Sequence, residues 1–347
     1  MKTAVVICPG RGTYTKAELG YLKRNFRDAA LLSAFDRTRA ALGQETLTAL
    51  DGAASYSVAK HTRGDNASGL IYAATLGDFD AIDRETVDIV AVTGNSMGWY
   101  TTLACGGALS PEAGFEVVNT MGTLMQEALI GGQLVHPCVG EDWVPNPARK
   151  ADLMGKVAEI DARAEQTLTL SIDLGGLLVL AGNAAGLKAF EEEIPPEQGR
   201  FPLRLSNHAA FHTALQAPVA ERGRTRLPPG LFRQPRLPLI DGRGAVWWPG
   251  ATDTHALWDY TLGHQVTEMY DFTHAIRIAA REFAPDLFIV AGPGTTLGGA
   301  VAQSLILANW RGMASKRDFQ TRQQTTPLLV SMGMDDQRAA VTKGDPR

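Results

Sequence analysis

Val87-Asp88-Ile89-Val90-Ala91-Val92-Thr93-Gly94-Asn95-Ser96-Met97-Gly98-Trp99-Tyr100 is the stretch whose reading decides the fold. Val87–Val92 is a short apolar run rich in β-branched residues, as expected of a strand covered on both faces. It ends at Thr93-Gly94, and the helical pattern Gly98–Leu109 follows directly. The residues between form G-x-S-x-G, whose glycines let strand and helix approach closely while Ser96 sits on a sharp turn with its Oγ above the sheet. In a chain with 36 glycines the bare pattern arises by chance; the strand–turn–helix setting is what gives it weight. The following helix N-terminus brings the Met97 N–H and a favourable dipole to any anion forming on an attacked carbonyl.

Working outward, Ala4–Cys8 is a second apolar run and ends in Pro9-Gly10-Arg11-Gly12, while Leu287–Ala291 ends in Gly292-Pro293-Gly294. Helical patterns such as Glu112–Leu129 and Asp271–Phe283 lie between such runs. The order predicts an α/β fold with a parallel sheet and loops gathered at the strand C-termini. Residues 132–205 read differently. Leu153–Thr167 and Gly186–Glu193 are helical, Leu168–Ile172 and Leu177–Ala181 are strands flanking Gly175-Gly176, and Phe201–Leu205 is another strand. This predicts an α+β insertion at 132–205 in a core made of 1–131 and 206–310, with a C-terminal extension at 311–347. Arg222–Leu239 and Trp310–Arg347, rich in Pro, Arg and Gln, are expected to be irregular and partly mobile.

The 347 residues suffice for about two domains and a closed pocket. A net charge of −4 gives no field for nucleic acid. Cys8, Cys105 and Cys138 form no C-x-x-C pair, which argues against a zinc site or disulfide framework and fits a reducing cytoplasm. The N-terminal run is too short for a signal sequence, and no stretch approaches the ~18 apolar residues needed to cross a membrane. Neither a cofactor nor a metal is called for.

A serine nucleophile needs a base. Of the seven histidines, His208 and His212 follow a strand-like run, a plausible place to face Ser96; chain order alone does not choose among them. No Asp or Glu stands out as a third member.

Several motifs in one order resemble the malonyl-CoA:acyl carrier protein transacylase family. Pro9-Gly10-Arg11-Gly12 is similar to its PGQG, and Gly94-Asn95-Ser96-Met97-Gly98-Trp99-Tyr100 to its GHSxGEY. Cys105-Gly106-Gly107-Ala108-Leu109 through Met121-Gly122-Thr123-Leu124-Met125-Gln126 resembles CAGAL…RGxLMQ. Phe211-His212-Thr213-Ala214-Leu215 resembles the SHxxLM segment, and Val290-Ala291-Gly292-Pro293-Gly294 the C-terminal VGPG. The likeness runs over about residues 1–310. It implies an α/β-hydrolase-like core with an inserted ferredoxin-like subdomain, and a ping-pong transfer from acyl-CoA to the phosphopantetheine thiol of an acyl carrier protein. Ser96 would carry the acyl group, with His212 as base. The carbonyl of Gln265 would orient His212, and the backbone N–H groups of Arg11 and Met97 would form the oxyanion hole.

The departures concern the acyl pocket. Met121 stands where malonyl-specific members carry an arginine that pairs with the acyl carboxylate. Asn95 replaces the family's His, Trp99 its Glu, Arg11 its Gln and Asp173 its Asn. A carboxylate pocket without a cation is costly, so Met121 implies a neutral acyl group. Arg11 leaves two readings open: a guanidinium turned toward the carboxylate from another side, or one exposed at the cleft mouth. An acyl-thioester hydrolase on the same scaffold and a non-catalytic subunit are the alternatives to transfer.

Overall fold

The computed structural model describes residues 1–343. Its strands are β1 (Lys2–Cys8), β2 (Val87–Gly94), β3 (Gly132–Pro137), β4 (Leu168–Leu174), β5 (Leu177–Gly182) and β6 (Leu203–Arg204), followed by β7 (Leu239–Ile240), β8 (Val246–Trp247), β9 (Tyr270–Asp271), β10 (Leu287–Val290) and β11 (Leu329–Ser331). The apolar run that becomes β1 lies near the middle of a six-stranded sheet, where Ala4 to Cys8 are wholly buried. The order is β11-β10-β1-β2-β7-β8, parallel except for the β7–β8 hairpin at one edge. The pairing of Cys8 with Gly94 sets the loops after β1 and β2 side by side. Those loops carry Arg11 and Ser96, so the crevice outside the strand C-termini is where chemistry is expected.

Residues 132–205 form most of a second sheet, ordered β6-β3-β5-β4-β9. Helices Pro147–Asp161 and Ala184–Glu193 pack on it through a separate core that includes Leu134, Val157, Ile160, Leu180 and Phe190. β3, β5 and β4 are antiparallel neighbours, β4 and β5 being joined by the tight Gly175-Gly176 turn. β9 comes from outside the insertion and pairs in parallel with β4, Ile172 against Tyr270 and Asp173 against Asp271. The insertion is thus hydrogen-bonded to the segment that follows Gln265.

Of the two stretches expected to be irregular, residues 227–238 are so apart from the single turn Pro229–Leu231, whereas the tail is largely regular. Within Arg222–Leu239, the helix Ala217–Arg226 covers the first part, and Arg233 and Arg236 donate backbone bonds to Ala108 and Gly106. After Trp310, helix Lys316–Thr325 leads into β11, which extends the main sheet beside β10. Leu328, Leu329 and Val330 are buried, a strand signal that the polar composition around them outweighed. Arg338 then pairs with the fully buried Asp78. Residues 344–347 of the expected mobile tail lie outside the described residues. No helix among the described residues is long and apolar enough to cross a membrane.

Candidate active site

The turn after β2 is built by close approach. A Cβ on Gly98 would lie 2.2 Å from the Cys8 carbonyl oxygen, and one on Gly94 would lie 2.5 Å from Gly98. Only glycine permits the two strands and the helix Gly98–Cys105 to meet this tightly. Asn95 N–H donates to Cys8 O at 2.9 Å, and Gly98 N–H to Asn95 O at 2.8 Å. Ser96 between them adopts φ +56°, a left-handed conformation that a serine holds only when its surroundings enforce it.

Ser96 Oγ lies 2.7 Å from His212 Nε2. His212 Nδ1 lies 2.6 Å from the Gln265 carbonyl oxygen. A carbonyl can only accept, so Nδ1 carries the proton and Nε2 presents its lone pair to the serine hydroxyl. His212 is also left-handed, at φ +57°, and its N–H donates to Val266 O. Burial, partly offset by the bond to Gln265, pushes its pKa down to about 4, so the ring is neutral at pH 7.

Gln265 does more than accept from the imidazole. Its Nε2 donates to Ser96 O at 3.1 Å, and its Oε1 accepts from the Tyr100 hydroxyl at 3.1 Å. It follows directly on a π-helical turn, Tyr260–His264, a local irregularity common where a side chain must be re-aimed. Tyr270 completes the frame: its ring packs 5.4 Å from that of His212 while its hydroxyl donates to Gly94 O at 2.6 Å. The backbone N–H groups of Arg11 and Met97 have no acceptor among the described residues, and Met97 immediately precedes the helix. Both are free to donate to an oxyanion beside Ser96.

A cavity of about 20 Å³ adjoins Ser96. Arg11, Ser68, Met97, Tyr100, Met125, Phe211 and Val266 are among its walls, with Ser96, His212 and Gln265. Four residues assigned to the pocket from the sequence do not line it. Met121 is fully buried, but its sulfur lies where a Cβ on Gly223 would come within 2.6 Å. On the helix Pro111–Ala128, Gly122 and Met125 line the cavity, whereas Met121, only about 40° round the helix from Met125, directs its sulfur toward Gly223. Trp99 is also fully buried and is held by Thr261 at 3.0 Å, edge-on to Tyr260. Asn95 lies in the turn itself, with Oδ1 buried and unpartnered. Asp173 belongs to the insertion, where it pairs with Lys150 and accepts from Thr273 Oγ1 at 2.7 Å. Sequence reasoning missed Ser68, Tyr100 and Val266. Met125 stood in the quoted motif without a role, and the i, i+4 helical spacing puts it on the same face as Met121, so spacing alone could not choose between them.

Arg11 is not turned out at the cleft mouth. The residue keeps some solvent contact, but its Nε is shut off from water. Nη2 donates to Thr62 O at 2.6 Å and Asn207 O at 2.8 Å, and the guanidinium lies 5.4 Å from the Phe211 ring centroid. Desolvation lowers its pKa to about 10, which still leaves it charged at pH 7.

No protein-family model matches the chain. The malonyl CoA-acyl carrier protein transacylase of Salmonella typhimurium is 24% identical over 211 residues, 60% of this chain and 63% of that protein. The match thus spans less than two thirds of that relative's length. A malonyl-CoA:acyl carrier protein transacylase from Xanthomonas oryzae superposes with a TM-score of 0.74 at 18% identity, covering 99% of both chains. This chain has the malonyl-CoA:acyl carrier protein transacylase fold. A malonyl-transacylase solved in complex with its type II polyketide-synthase acyl-carrier protein also superposes, with a TM-score of 0.69 at 19% identity over 88% of this chain and 93% of that one. The 99% coverage takes the transacylase fold past Trp310, further than the motifs do.

Proposed function

We propose that the protein transfers a short acyl group from an acyl-CoA thioester to the phosphopantetheine thiol of an acyl carrier protein through an acyl-Ser96 ester. The observation that carries this reading is the aligned series Ser96 Oγ, His212 Nε2, His212 Nδ1 and Gln265 O, at 2.7 Å and 2.6 Å. A neutral imidazole with its lone pair on the hydroxyl is the state a general base needs.

In the first half-reaction Ser96 Oγ bonds to the thioester carbonyl carbon and its proton passes to His212 Nε2. The Arg11 and Met97 N–H groups receive the oxyanion. The C–S bond then breaks, and the CoA thiolate takes the proton from His212. In the second half, the carrier's thiol gives its proton to His212 and attacks the ester. Ser96 leaves and recovers the proton. Gln265 holds both the imidazole and the serine backbone, so it is a positioning residue for both halves. The cavity of about 20 Å³ has room for little more than one water-sized group, which favours a short acyl chain. The relatives named for carrier-protein transfer support the choice of acceptor.

The test is to incubate the protein with acyl-CoA and weigh the intact chain. An acyl adduct that is absent in Ser96→Ala, and that moves to an added carrier protein, is expected. An adduct that decays to free acid without a carrier would make the protein a thioester hydrolase, and no adduct from any acyl-CoA or acyl carrier protein would remove the covalent route.

A further inference from the structure

Trp99 and Thr261 are both fully buried, and neither lines the cavity. Trp99 is the second residue of the helix Gly98–Cys105, just beyond the nucleophile turn, and Thr261 lies in the π-helical turn Tyr260–His264. They are 162 positions apart in the chain, yet Trp99 Nε1 donates to Thr261 Oγ1 at 3.0 Å. Thr261 Oγ1 in turn donates to Leu257 O at 2.7 Å, which leaves its lone pairs for the indole. A buried indole N–H has to find such an acceptor. The Trp99 ring also stands edge-on to Tyr260, with 5.4 Å between centroids, and the Tyr260 hydroxyl accepts from Gly242 N–H at 2.9 Å. From the outer side Arg224 closes on the same turn. Its Nη2 donates to Asp259 O at 3.2 Å and lies where a Cβ on Gly263 would come within 2.2 Å.

The turn held by these contacts decides where His212 docks. Gln265 N–H closes it by donating to Tyr260 O, one residue further back than in an α-helix. The extra residue rotates everything after it by about 100°. The helical segment ends at Thr267, and the last carbonyls of a helix have no partner within it. His212 takes two of them: Nδ1–H donates to Gln265 O at 2.6 Å, and the backbone N–H donates to Val266 O at 3.1 Å. The imidazole is thus docked on a helix C-terminus whose rotational setting comes from the π-helical turn.

We propose that Trp99 and Thr261 are positioning residues for the acyl transfer: their hydrogen bond fixes the helix that follows Ser96 relative to the turn that aims the Gln265 carbonyl at His212. Both ends of the proton-transfer line are then tied together behind the cavity, by side chains that touch no substrate. This rests on the acyl-Ser96 reading and deepens it. It also gives the motif position a role. Where the transacylases that the sequence resembles carry a glutamate, this chain carries an indole, whose N–H reaches the turn and whose burial calls for no counter-ion.

The experiment is single-turnover loading of the full chain, with acetyl-CoA and with malonyl-CoA as probes, in Thr261→Val and Thr261→Ser. Valine keeps the shape and removes the acceptor; serine keeps the acceptor and loses a methyl. With the probe that loads faster, Thr261→Val should lower the maximal rate roughly tenfold or more, since a displacement of about 1 Å at the reacting groups costs up to roughly a hundredfold. The thioester concentration that gives half the maximal rate should stay as in the wild type, because neither residue lines the cavity. Thr261→Ser should recover most of the rate. Trp99→Phe should match Thr261→Val, and the double variant should be no slower than the slower single variant, as for two halves of one interaction. Nitrogen NMR on isotope-labelled histidine gives a second readout. The ring signals that are missing from His212→Asn should report the Nδ1–H tautomer alone in the wild type and a mixture of tautomers in Thr261→Val. Thr261→Val loading at the wild-type rate with an unchanged tautomer, or Thr261→Ser as slow as Thr261→Val, would overturn the assignment while leaving acyl-Ser96 standing. A wild type that loads neither probe fails the acyl-serine reading, and the tautomer signals then decide the role of Trp99 and Thr261 by themselves.

Discussion

Acid should weaken this protein through His212 in a way that can be isolated. The imidazole is 4% exposed, and burial lowers its folded-state pKa from 6.5 to about 4. The sign follows from proton counting. Between about pH 6.5 and 4 the unfolded chain binds a proton at this residue and the folded chain does not, so stability falls as pH falls across that window and levels off below it. Moving the imidazole pKa from 6.5 to about 4 corresponds to about 3 kcal/mol. Other groups titrate in the same range, so the measurement is a difference between the wild type and His212→Asn, chosen because Asn tolerates the left-handed backbone at this position. Urea unfolding at pH 7 and at pH 4 should show the wild type losing about 3 kcal/mol more than the variant. The rate of Ser96 loading in the wild type should hold down to about pH 5 and collapse only as pH falls through about 4. Parallel stability losses in the two proteins, or a loading rate that inflects near 6.5, would refute the claim that the base is held neutral by burial.

Other perturbations have equally definite outcomes. Met121→Arg should lower stability by about 3 kcal/mol or more instead of adding a binding group, since it inserts an unpaired charge where the side chain is fully buried; thermal melting checks this. Gly98→Ala pushes a methyl to 2.2 Å from Cys8 O and should cost about 1–3 kcal/mol or more, with loading lost because the serine turn must shift. Arg338→Ala leaves the buried Asp78 carboxylate with Tyr21 and the Gly292 N–H but no cation, and should cost about 3–5 kcal/mol at pH 7. Burial already raises the pKa of Asp78 in the fold, so that loss should shrink in acid, where the carboxyl takes up a proton; a denaturant series over pH shows whether it does.

The serine turn was legible in the sequence because its signal is local: a β-branched run, glycines that allow contact, and a helix directly after. The strands β1, β2 and β10 of the main sheet followed from the same unalternating runs, while the short β7, β8 and β11 did not. His212 was not legible from periodicity, since its partner lies 116 positions away and neighbouring His208 has the same local setting; the motif resemblance separated them. Pocket assignments by motif failed at Met121, Trp99 and Asp173 for a common reason. A motif fixes a residue's place on its helix or strand, but which way the side chain faces depends on what packs there. For Met121 that neighbour is Gly223, and for Trp99 it is Thr261. The tail was misjudged because Arg and Gln on helix Lys316–Thr325 masked the short apolar run Leu328–Val330, whose last two residues open β11.

The pairing of β9 with β4 has a mechanical consequence. The chain that runs from Gln265 through Tyr270 is stitched into the insertion's sheet, while the Tyr270 side chain braces both Gly94 and His212. The insertion therefore cannot swing like a jaw without dragging the imidazole off the serine. Passage for a thioester has to come from smaller displacements nearer the surface, where Arg11 latches the Thr62 and Asn207 loops together. In such an arrangement the gate can yield while the proton-transfer line stays taut.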